Sequence, residues 1–223
     1  MLNKKNGKLL LFDYDGTLVD SAKMIIEGTI EAFNRCGLAI PEPKEIRAGI
    51  GQKLDIAIKS YLPLEHKGTL DEVIRQYRQW YVEKDLEGTQ FEPLFENIKP
   101  VLKKLYQDGW QLGIATNKSL RGLNRGLRHH GIEKFFSIIM TTDKFIPKPN
   151  KAMAMHALKT LKVKNSDAFM IGDTVYDIKM GKNAKINTIG VTWGYNSSEE
   201  LNRADADHII NDPSQLVKLL REL

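Results

Sequence analysis

Short apolar runs alternate with segments of helical spacing along most of the chain. The runs contain almost only apolar or β-branched residues, so both faces of each would be buried, which predicts strands of a parallel sheet covered by helices. They are residues 8–13, 110–116, 136–140, 168–173 and 187–193. Strands that alternate with helices predict an α/β fold, specifically an open doubly wound parallel sheet.

The alternation is interrupted once, between the first and the second predicted strand. The segment from about Ser21 to Phe91 has several amphipathic patterns but no good strand. We therefore predict a helical cap at residues 20–92, inserted after the first strand of an α/β core formed by residues 1–19 and 93–223. Within it, Tyr77, Trp80 and Tyr81 share one helical face, which is typical of a packing stripe.

Composition narrows the class of protein. The chain has 223 residues, of which 42% are hydrophobic and 27% are charged, as in a folded domain. The basic N-terminus precedes an apolar run that stops at Asp13, which is too short for a signal peptide. Cys36 is the single cysteine and excludes an internal disulfide. We expect a cytoplasmic protein.

The net charge and the lengths of the apolar runs indicate whether nucleic acid or a membrane is a partner. The net charge is +5, but no basic block is long or interleaved with aromatic residues. Arg121, Arg125 and Arg128 share one face of a predicted helix, and we expect that face to be solvated. No apolar run is long enough to cross a bilayer. Neither nucleic acid nor a membrane is expected as a partner, and the sequence does not predict an oligomeric state.

Two helix ends are also predicted. His129 and His130 close one helix before Gly131, as a cationic C-terminus followed by glycine would, so we do not expect them to bind metal. The last helix should begin with Asp212 as its N-cap and Pro213 at its first position.

Polar groups follow four of the five predicted strands. In a parallel α/β sheet the carboxyl ends of the strands open onto the ligand crevice, so these groups should converge. They are Asp13, Asp15, Gly16 and Thr17 after the first strand, Thr116, Asn117 and Lys118 after the second, Lys148 after the third, and Asp173 with Asp177 after the fourth. No ionisable group is assigned after the fifth strand, in "TWGYN".

Carboxylates brought into one pocket repel one another at low dielectric unless a cation joins them. A site with oxygen ligands and no cysteine or histidine favours a hard ion, and Mg²⁺ is expected because it also binds substrate phosphate. We therefore expect a metal ion, together with Lys148, to supply the positive charge that these carboxylates need.

The order and context of these motifs resemble the haloacid-dehalogenase-like phosphohydrolases. The motifs are Asp13-x-Asp15-Gly16-Thr17, Thr116-Asn117, Lys148-Pro149 and Gly172-Asp173-x-x-x-Asp177. The resemblance covers nearly the whole chain, and the C-terminal segment looks most like the phosphoglycolate phosphatase branch. One departure is that Lys148-Pro149 continues with Asn150-Lys151, where the family usually has x-Pro.

The resemblance implies a role for each motif residue. Asp13 would be the nucleophile that forms an aspartyl-phosphate. Asp15 would be the general acid and base, and its backbone carbonyl would reach the metal. Further implied roles are phosphate binding by Gly16, Thr116, Asn117 and Lys148, and metal binding by Asp13, Asp15, Asp173 and Asp177.

Structural alternatives stand beside several of these roles. Asp177 is also compatible with an acid in the first turn of a helix, and Thr116 with a hydroxyl that only caps a strand end. Lys148, between two prolines, is compatible with a surface lysine.

The resemblance also leaves other activities open. Dehalogenases that work without metal lack the second aspartate, so Asp15 disfavours that activity. Phosphomutases of the β-phosphoglucomutase type carry a cap arginine where Gln52 stands here; Arg47 or Lys53 would have to replace it. Phosphonate hydrolases use a Schiff-base lysine near Lys53. A solvated cap loop is the plain alternative for all three residues.

The expected function is Mg²⁺-dependent hydrolysis of a phosphomonoester on a small phosphorylated metabolite, with 2-phosphoglycolate favoured. Sugar phosphates, nucleoside monophosphates and pyrophosphate stay open as substrates. A regulatory module that binds a phosphate ligand without turnover is the non-enzymatic alternative.

Overall fold

The computed structural model describes residues 7–88 and 92–223, except for the side chain of Lys67. Six strands form one sheet in the order β3-β2-β1-β4-β5-β6, and every neighbouring pair is parallel. The strands are β1 Leu9–Phe12, β2 Gln111–Thr116, β3 Phe136–Thr141, β4 Ala168–Gly172, β5 Asn187–Val191 and β6 His208–Ile210. The predicted doubly wound α/β fold is confirmed.

The central strand β1 explains why its sequence is apolar throughout. Leu10 and Phe12 point into the apolar core on one face of the sheet. Leu9 and Leu11 point into a second core on the other face. Because helices cover both faces, every residue of this strand is buried, and the alternation of an exposed sheet is lost.

Ten α-helices are present among the described residues. Four belong to the segment between β1 and β2: α1 Ala22–Arg35, α2 Pro43–Ala48, α3 Leu54–Tyr61 and α4 Leu70–Leu86. The other six are α5 Ile98–Gln107, α6 Leu120–His130, α7 Ala152–Leu161, α8 Val175–Ala184, α9 Ser198–Arg203 and α10 Gln215–Glu222. None of them is both long and apolar enough to span a membrane.

The four helices between β1 and β2 have an apolar core of their own, which includes Phe33, Ile58 and Val73. The chain leaves and re-enters the sheet layer through two segments that pair with each other. Val19 bridges Leu94 in antiparallel fashion, and the Asp20 amide donates to the Pro93 carbonyl at 2.8 Å. We propose that this crossing bounds the predicted cap, residues 20–92, of which 89–91 lie outside the described residues.

The aromatic stripe on α4 packs as predicted. Trp80 and Tyr81 are buried beside Met24, and the Tyr77 and Tyr81 ring centroids are 4.9 Å apart. The end of α6 is also confirmed, since Gly131 follows His130 in the left-handed region with φ of 61°.

Two local predictions were wrong. Strand β6 was not predicted, because it has only three residues within a polar stretch. It forms by pairing with the edge of β5. The last helix begins at Gln215 and not at Pro213. The Asp212 carboxylate accepts a hydrogen bond from the Ser214 amide at 2.7 Å, so it caps a turn that precedes the helix.

Candidate active site

The register of the sheet brings the ends of β1, β2 and β4 to one edge. Phe12 is paired with Ile114 on one side and Ile171 on the other. The Asp13 amide still donates to the Ile171 carbonyl at 2.9 Å. Asp13 therefore directly follows the last residue of β1, and its backbone is still hydrogen-bonded to β4, which fixes where its side chain starts.

Lys148 is buried and not on the surface. Its Nζ lies 2.8 Å from Asp13 Oδ1 and 2.6 Å from Asp177 Oδ1, and its side chain is 0% exposed. Its backbone amide donates to Asn117 Oδ1 at 2.9 Å. Burial opposes the charged ammonium, but the carboxylates of Asp13 and Asp177 outweigh burial and raise the pKa of Lys148.

Asp173 is held by two donors from different segments. Thr17 Oγ1 donates to its Oδ1 at 2.8 Å, and the Tyr195 amide donates to its Oδ2 at 3.0 Å. Burial, followed by repulsion from Asp177 and Asp13, raises the pKa of this carboxyl group well above its usual range. Among the described residues, no lysine or arginine forms an ion pair with Asp173, in contrast to Asp13 and Asp177.

Asp177 serves α8 and Lys148 at once. Its Oδ2 accepts from the Thr174 amide at 3.0 Å and from the Thr174 hydroxyl at 2.7 Å, which forms a capping box at the start of the helix. Its Oδ1 accepts from Lys148. Asp177 therefore caps α8, as the structural alternative predicts, and also belongs to the acidic cluster.

The carboxylates fit a hard divalent cation. Asp13, Asp173 and Asp177 each offer an oxygen, and these three atoms lie within 4.8 Å of one another. Asp13 Oδ1 is buried and accepts no well-directed hydrogen bond from the described residues, although it lies close to Lys148. Burial raises the pKa of Asp13 to about 7, with Lys148 opposing and Asp177 adding to the rise. An all-oxygen cluster that is short of positive charge suits Mg²⁺.

The Asp15 carboxylate is not part of this cluster. Its Oδ1 lies 2.8 Å from Lys118 Nζ, and the same ammonium lies 2.9 Å from Glu92 Oε1. Only the backbone carbonyl of Asp15 is left as the metal contact that the sequence predicts.

Gly16 lies in the left-handed region with φ of 81°. A Cβ atom there would be 2.2 Å from Asp173 Oδ2, so the glycine lets the loop pass against that carboxylate. A side chain at residue 16 would therefore collide with Asp173 and Tyr195 of the protein itself.

The end of β2 contributes Thr116 and Asn117, which are both buried. Thr116 Oγ1 accepts from the Lys118 amide at 3.2 Å, which is the capping contact of the structural alternative. Asn117 connects the core with the segment of helices α1–α4, because its Nδ2 donates to the Gly51 carbonyl at 2.8 Å. Both residues line the same cavity as Asp13.

This cavity has a volume of about 710 Å³ and lies between the strand ends and helices α3, α4 and α6. Of the three predicted cap contacts, Gln52 and Lys53 line it. Lys53 is paired with Asp55 at 2.8 Å. Arg47 is not among the lining residues and instead lies over the Tyr195 ring, 5.2 Å from its centroid.

The arginine face of α6 is only partly as predicted. Arg121 and Arg128 are exposed. Arg125 is half-buried, 3.8 Å from Asp85 and stacked over Tyr81, so a solvated position was wrong for it. Arg121 and Arg125 line the cavity, as does Arg78 from α4.

Sequence reasoning placed Lys118 at a strand end but gave it no role, and it missed Glu92 and Tyr195. Lys118 follows Thr116-Asn117 directly, so its place after a strand was a signal that it faces the site. Tyr195 lies in the "TWGYN" segment, where no ionisable acid or base was found; its hydroxyl contacts the Ser21 hydroxyl at 3.0 Å, and its amide holds Asp173. Glu92 gave no motif signal.

An all-parallel sheet whose carboxyl edge gathers carboxylates around a buried lysine is the architecture of an α/β enzyme with its site at the strand ends. The chain belongs to the haloacid dehalogenase-like hydrolases, since the model of that family matches residues 10–191.

Similar proteins refine this assignment to phosphatases. A phosphoglycolate phosphatase from Vibrio parahaemolyticus is 28% identical over 227 residues, which cover 98% of each chain. The pyrophosphatase PpaX from Bacillus velezensis is 30% identical over 220 residues and 98% of each chain. The crystal structure of a predicted phosphatase from Clostridium acetobutylicum has a TM-score of 0.83 at 30% identity, covering 97% of this chain and 99% of that one. The protein is a phosphatase of the haloacid dehalogenase-like family.

Proposed function

We propose that the protein is a Mg²⁺-dependent phosphomonoester hydrolase that works through an aspartyl-phosphate, with 2-phosphoglycolate as the favoured substrate. The observation that carries the proposal is the pairing of Asp13 with Lys148 beside two further carboxylates. A carboxylate attacks a phosphate dianion only if their mutual repulsion is offset. A buried lysine and an acidic cluster suited to a cation supply that offset.

Asp13, Asp173 and Asp177 would hold the ion, with the backbone carbonyl of Asp15 as a further contact. When bound, Mg²⁺ supplies positive charge to the phosphoryl oxygens and to the nucleophile. Lys148, which lies 2.8 Å from Asp13, would neutralise part of the same charge. The hydroxyl of Thr116 and the amide of Asn117 act as fixed donors to the phosphoryl group.

The proposed reaction has two steps. In the first, an oxygen of Asp13 forms a bond to phosphorus, the bond from phosphorus to the ester oxygen breaks, and Asp15 gives its proton to that oxygen. In the second, Asp15 takes a proton from water, whose oxygen attacks phosphorus. The bond from phosphorus to Asp13 then breaks, and inorganic phosphate leaves.

The cavity supports a small anionic substrate. Lys53, Arg78 and Arg121 line it beyond the catalytic carboxylates. Arg78 and Arg121 form no ion pair within the described residues. A carboxylate such as that of 2-phosphoglycolate would complement them. The phosphoglycolate phosphatases of Vibrio among the relatives support the same choice.

Pyrophosphate is the second candidate. The PpaX relative is as similar to this chain as the phosphoglycolate phosphatases are, and pyrophosphate would also place a second anion toward the arginines. Sugar phosphates, nucleoside monophosphates and a phosphomutase reaction follow as further alternatives. The cytoplasmic location and the absence of nucleic acid partners stay predictions.

The test is a phosphate-release assay over a panel of 2-phosphoglycolate, pyrophosphate, sugar phosphates and nucleoside monophosphates, with Mg²⁺ and with chelator. We expect release that chelator abolishes, fastest with 2-phosphoglycolate. Asp13→Asn should abolish release from every substrate, and full activity in that variant would refute the covalent mechanism. If no substrate is turned over but phosphate ligands bind, the chain is a binding module.

A further inference from the structure

Lys118 and Glu92 form a buried network with Asp15 that the proposed reaction does not yet use. The Lys118 ammonium lies 2.8 Å from Asp15 Oδ1 and 2.9 Å from Glu92 Oε1. The side chains of Lys118, Asp15 and Glu92 are 11%, 13% and 6% exposed. The Tyr14 ring completes the enclosure, with its centroid 5.5 Å from the Lys118 nitrogen.

This network is poorly explained by stability alone. Each charge in it has lost most of its hydration, and a buried ion pair recovers that cost only with good geometry and additional hydrogen bonds. Exposed lysine pairs with short contacts are available elsewhere, such as Lys104 with Asp108 at 2.6 Å. What the buried arrangement provides is a fixed direction for the Asp15 side chain, because its Oδ1 is held by the Lys118 ammonium at the lining of the cavity.

Glu92 brings a second element into the network, because it lies where the chain re-enters the core after α4. Its backbone carbonyl lies 2.8 Å from His130 Nε2, which donates to it in the tautomer that carries the proton there. The next residues, Pro93 to Phe95, pair with residues 18–20 through the Asp20 amide and the Leu18 carbonyl. The position of Glu92 is therefore set by the core helix α6 and by the crossing segments.

Asp15 is attached to the same crossing through its backbone. Asp15 and Val19 form a parallel bridge, and the Gly16 amide donates to the Val19 carbonyl at 2.8 Å. Its side chain and its backbone are thus both tied to the two segments that join the core to helices α1–α4. A displacement of residues 92–95 would move Lys118 and the Asp15 carboxyl group together.

We propose that Lys118 and Glu92 are positioning residues that hold the Asp15 carboxyl group where it protonates the leaving oxygen. The inference rests on the proposed role of Asp15 as general acid. Lys118 contacts Asp15 directly, and Glu92 acts through Lys118. Neither residue is required for attack by Asp13 on a substrate whose leaving group needs no proton.

The test uses a series of aryl phosphates whose leaving phenols differ in basicity, from 4-nitrophenyl phosphate to phenyl phosphate, with Mg²⁺ present. The quantity measured is kcat/KM, which reports the steps up to departure of the phenol. A general acid contributes about 10²–10⁴-fold where the leaving group needs a proton. A misplaced Asp15 should therefore lower kcat/KM for esters of basic phenols. It should have little effect on kcat/KM for 4-nitrophenyl phosphate, whose leaving group is acidic.

The variants are Glu92→Gln and Lys118→Met, with Asp15→Asn as the reference and Lys104→Met as the control on an exposed lysine. In both Glu92→Gln and Lys118→Met, we expect the ratio of kcat/KM for phenyl phosphate to kcat/KM for 4-nitrophenyl phosphate to fall roughly 10-fold or more. In Asp15→Asn this ratio of kcat/KM values should fall further, and in Lys104→Met it should equal the wild-type ratio.

Equal losses on both substrates in Glu92→Gln would overturn the inference, because a merely structural defect does not depend on the leaving group. Circular dichroism identifies a variant that does not fold; if Lys118→Met is such a variant, Glu92→Gln, which keeps size and shape, decides alone. If Asp15→Asn itself leaves the ratio unchanged, the proposed role of Asp15 fails. If Asp15→Asn changes the ratio and the network variants do not, only the positioning role fails.

Discussion

The Nζ atom of Lys148 lies 2.8 Å from Oδ1 of Asp13, and the two side chains are 0% and 2% exposed. The contact joins residues that are far apart in the sequence, and it forms because β1 and the loop after β3 end at the same edge of the sheet. Asp177 accepts a second contact from the same ammonium at 2.6 Å. One lysine therefore balances two of the three carboxylates in the acidic cluster.

Lys148→Met is expected to be nearly inactive and less stable. The variant removes a charge that the proposed phosphoryl transfer needs, and loss of one such group costs about 10²–10³-fold in kcat. It also leaves Asp13 and Asp177 without their partner, and breaking a buried pair costs about 3–5 kcal/mol. Phosphate release and thermal unfolding measure the two effects. Lys104→Met, on an exposed pair, should change neither; a fully active Lys148→Met would remove Lys148 from the mechanism.

The sheet and the motif residues at its edge were predictable because they depend on local patterns. Leu9–Phe12 and Ala168–Gly172 are short and apolar throughout, which is typical of parallel strands covered on both faces. Asp13 and Asp173 follow these strands directly, so the parallel topology alone brings them to one side. The three residues of β6 gave no such pattern.

The network around Asp15 was not predictable in the same way. Lys118 meets Glu92 only because residues 92–95 return beside residues 18–20, and no periodicity encodes that crossing. Tyr195 contributes a backbone amide to Asp173, and any residue except proline carries that donor. Contacts made by the backbone, or between segments joined through the cap, leave no signature in residue type.

Without metal, the protein should lose stability as the pH rises from about 4 to about 7. Burial raises the pKa of Asp13 to about 7 and raises the pKa of Asp173 as well. Aspartates of the unfolded chain titrate near 4, so across this range the folded state binds more protons than the unfolded state. The free energy of unfolding then falls with increasing pH, which is opposite to the usual behaviour of a paired carboxylate.

Mg²⁺ should reverse this loss, because it favours the ionised carboxylates. We expect the rise in Tm on adding Mg²⁺ to be larger at about pH 8 than at about pH 5. A stabilisation of 1 kcal/mol corresponds to roughly 2–4 °C for a chain of this size. Asp13→Asn should show a smaller Mg²⁺ effect. A Tm that is independent of Mg²⁺ at both pH values would contradict a metal site at these residues.

Gly51→Ala should impair catalysis by displacing the loop between α2 and α3. Gly51 has φ of 93°, and a Cβ atom there would lie 2.8 Å from the Thr174 methyl group. Its carbonyl accepts from Asn117, so the loop would lose its contact with the site. A misplacement of about 1 Å costs up to 10²-fold, and we expect kcat/KM to fall roughly 10-fold or more.

Gly37→Ala is the matched control. Gly37 also has a positive φ, 65°, but a Cβ atom there meets nothing within 4 Å. Both substitutions carry the penalty of a left-handed residue, about 1–2 kcal/mol, and both should lower Tm. Only Gly51→Ala should lower kcat/KM. Equal activity in the two variants would show that contact between this loop and the core is unimportant for turnover.

Arg121→Ala should discriminate between substrates by the charge of their leaving group. Arg121 is exposed on α6, lines the cavity, and forms no ion pair within the described residues. If it binds the carboxylate of 2-phosphoglycolate, its loss removes a charge-assisted contact of about 1.5–3 kcal/mol, which is roughly 10-fold or more in KM. Phenyl phosphate has an uncharged leaving group and should keep its KM. Arg128→Ala, on the same helix but away from the cavity, should affect neither substrate. Equal KM increases for both substrates in Arg121→Ala would show that the arginine attracts anions in general. Arg121 would then not recognise the carboxylate of the leaving group.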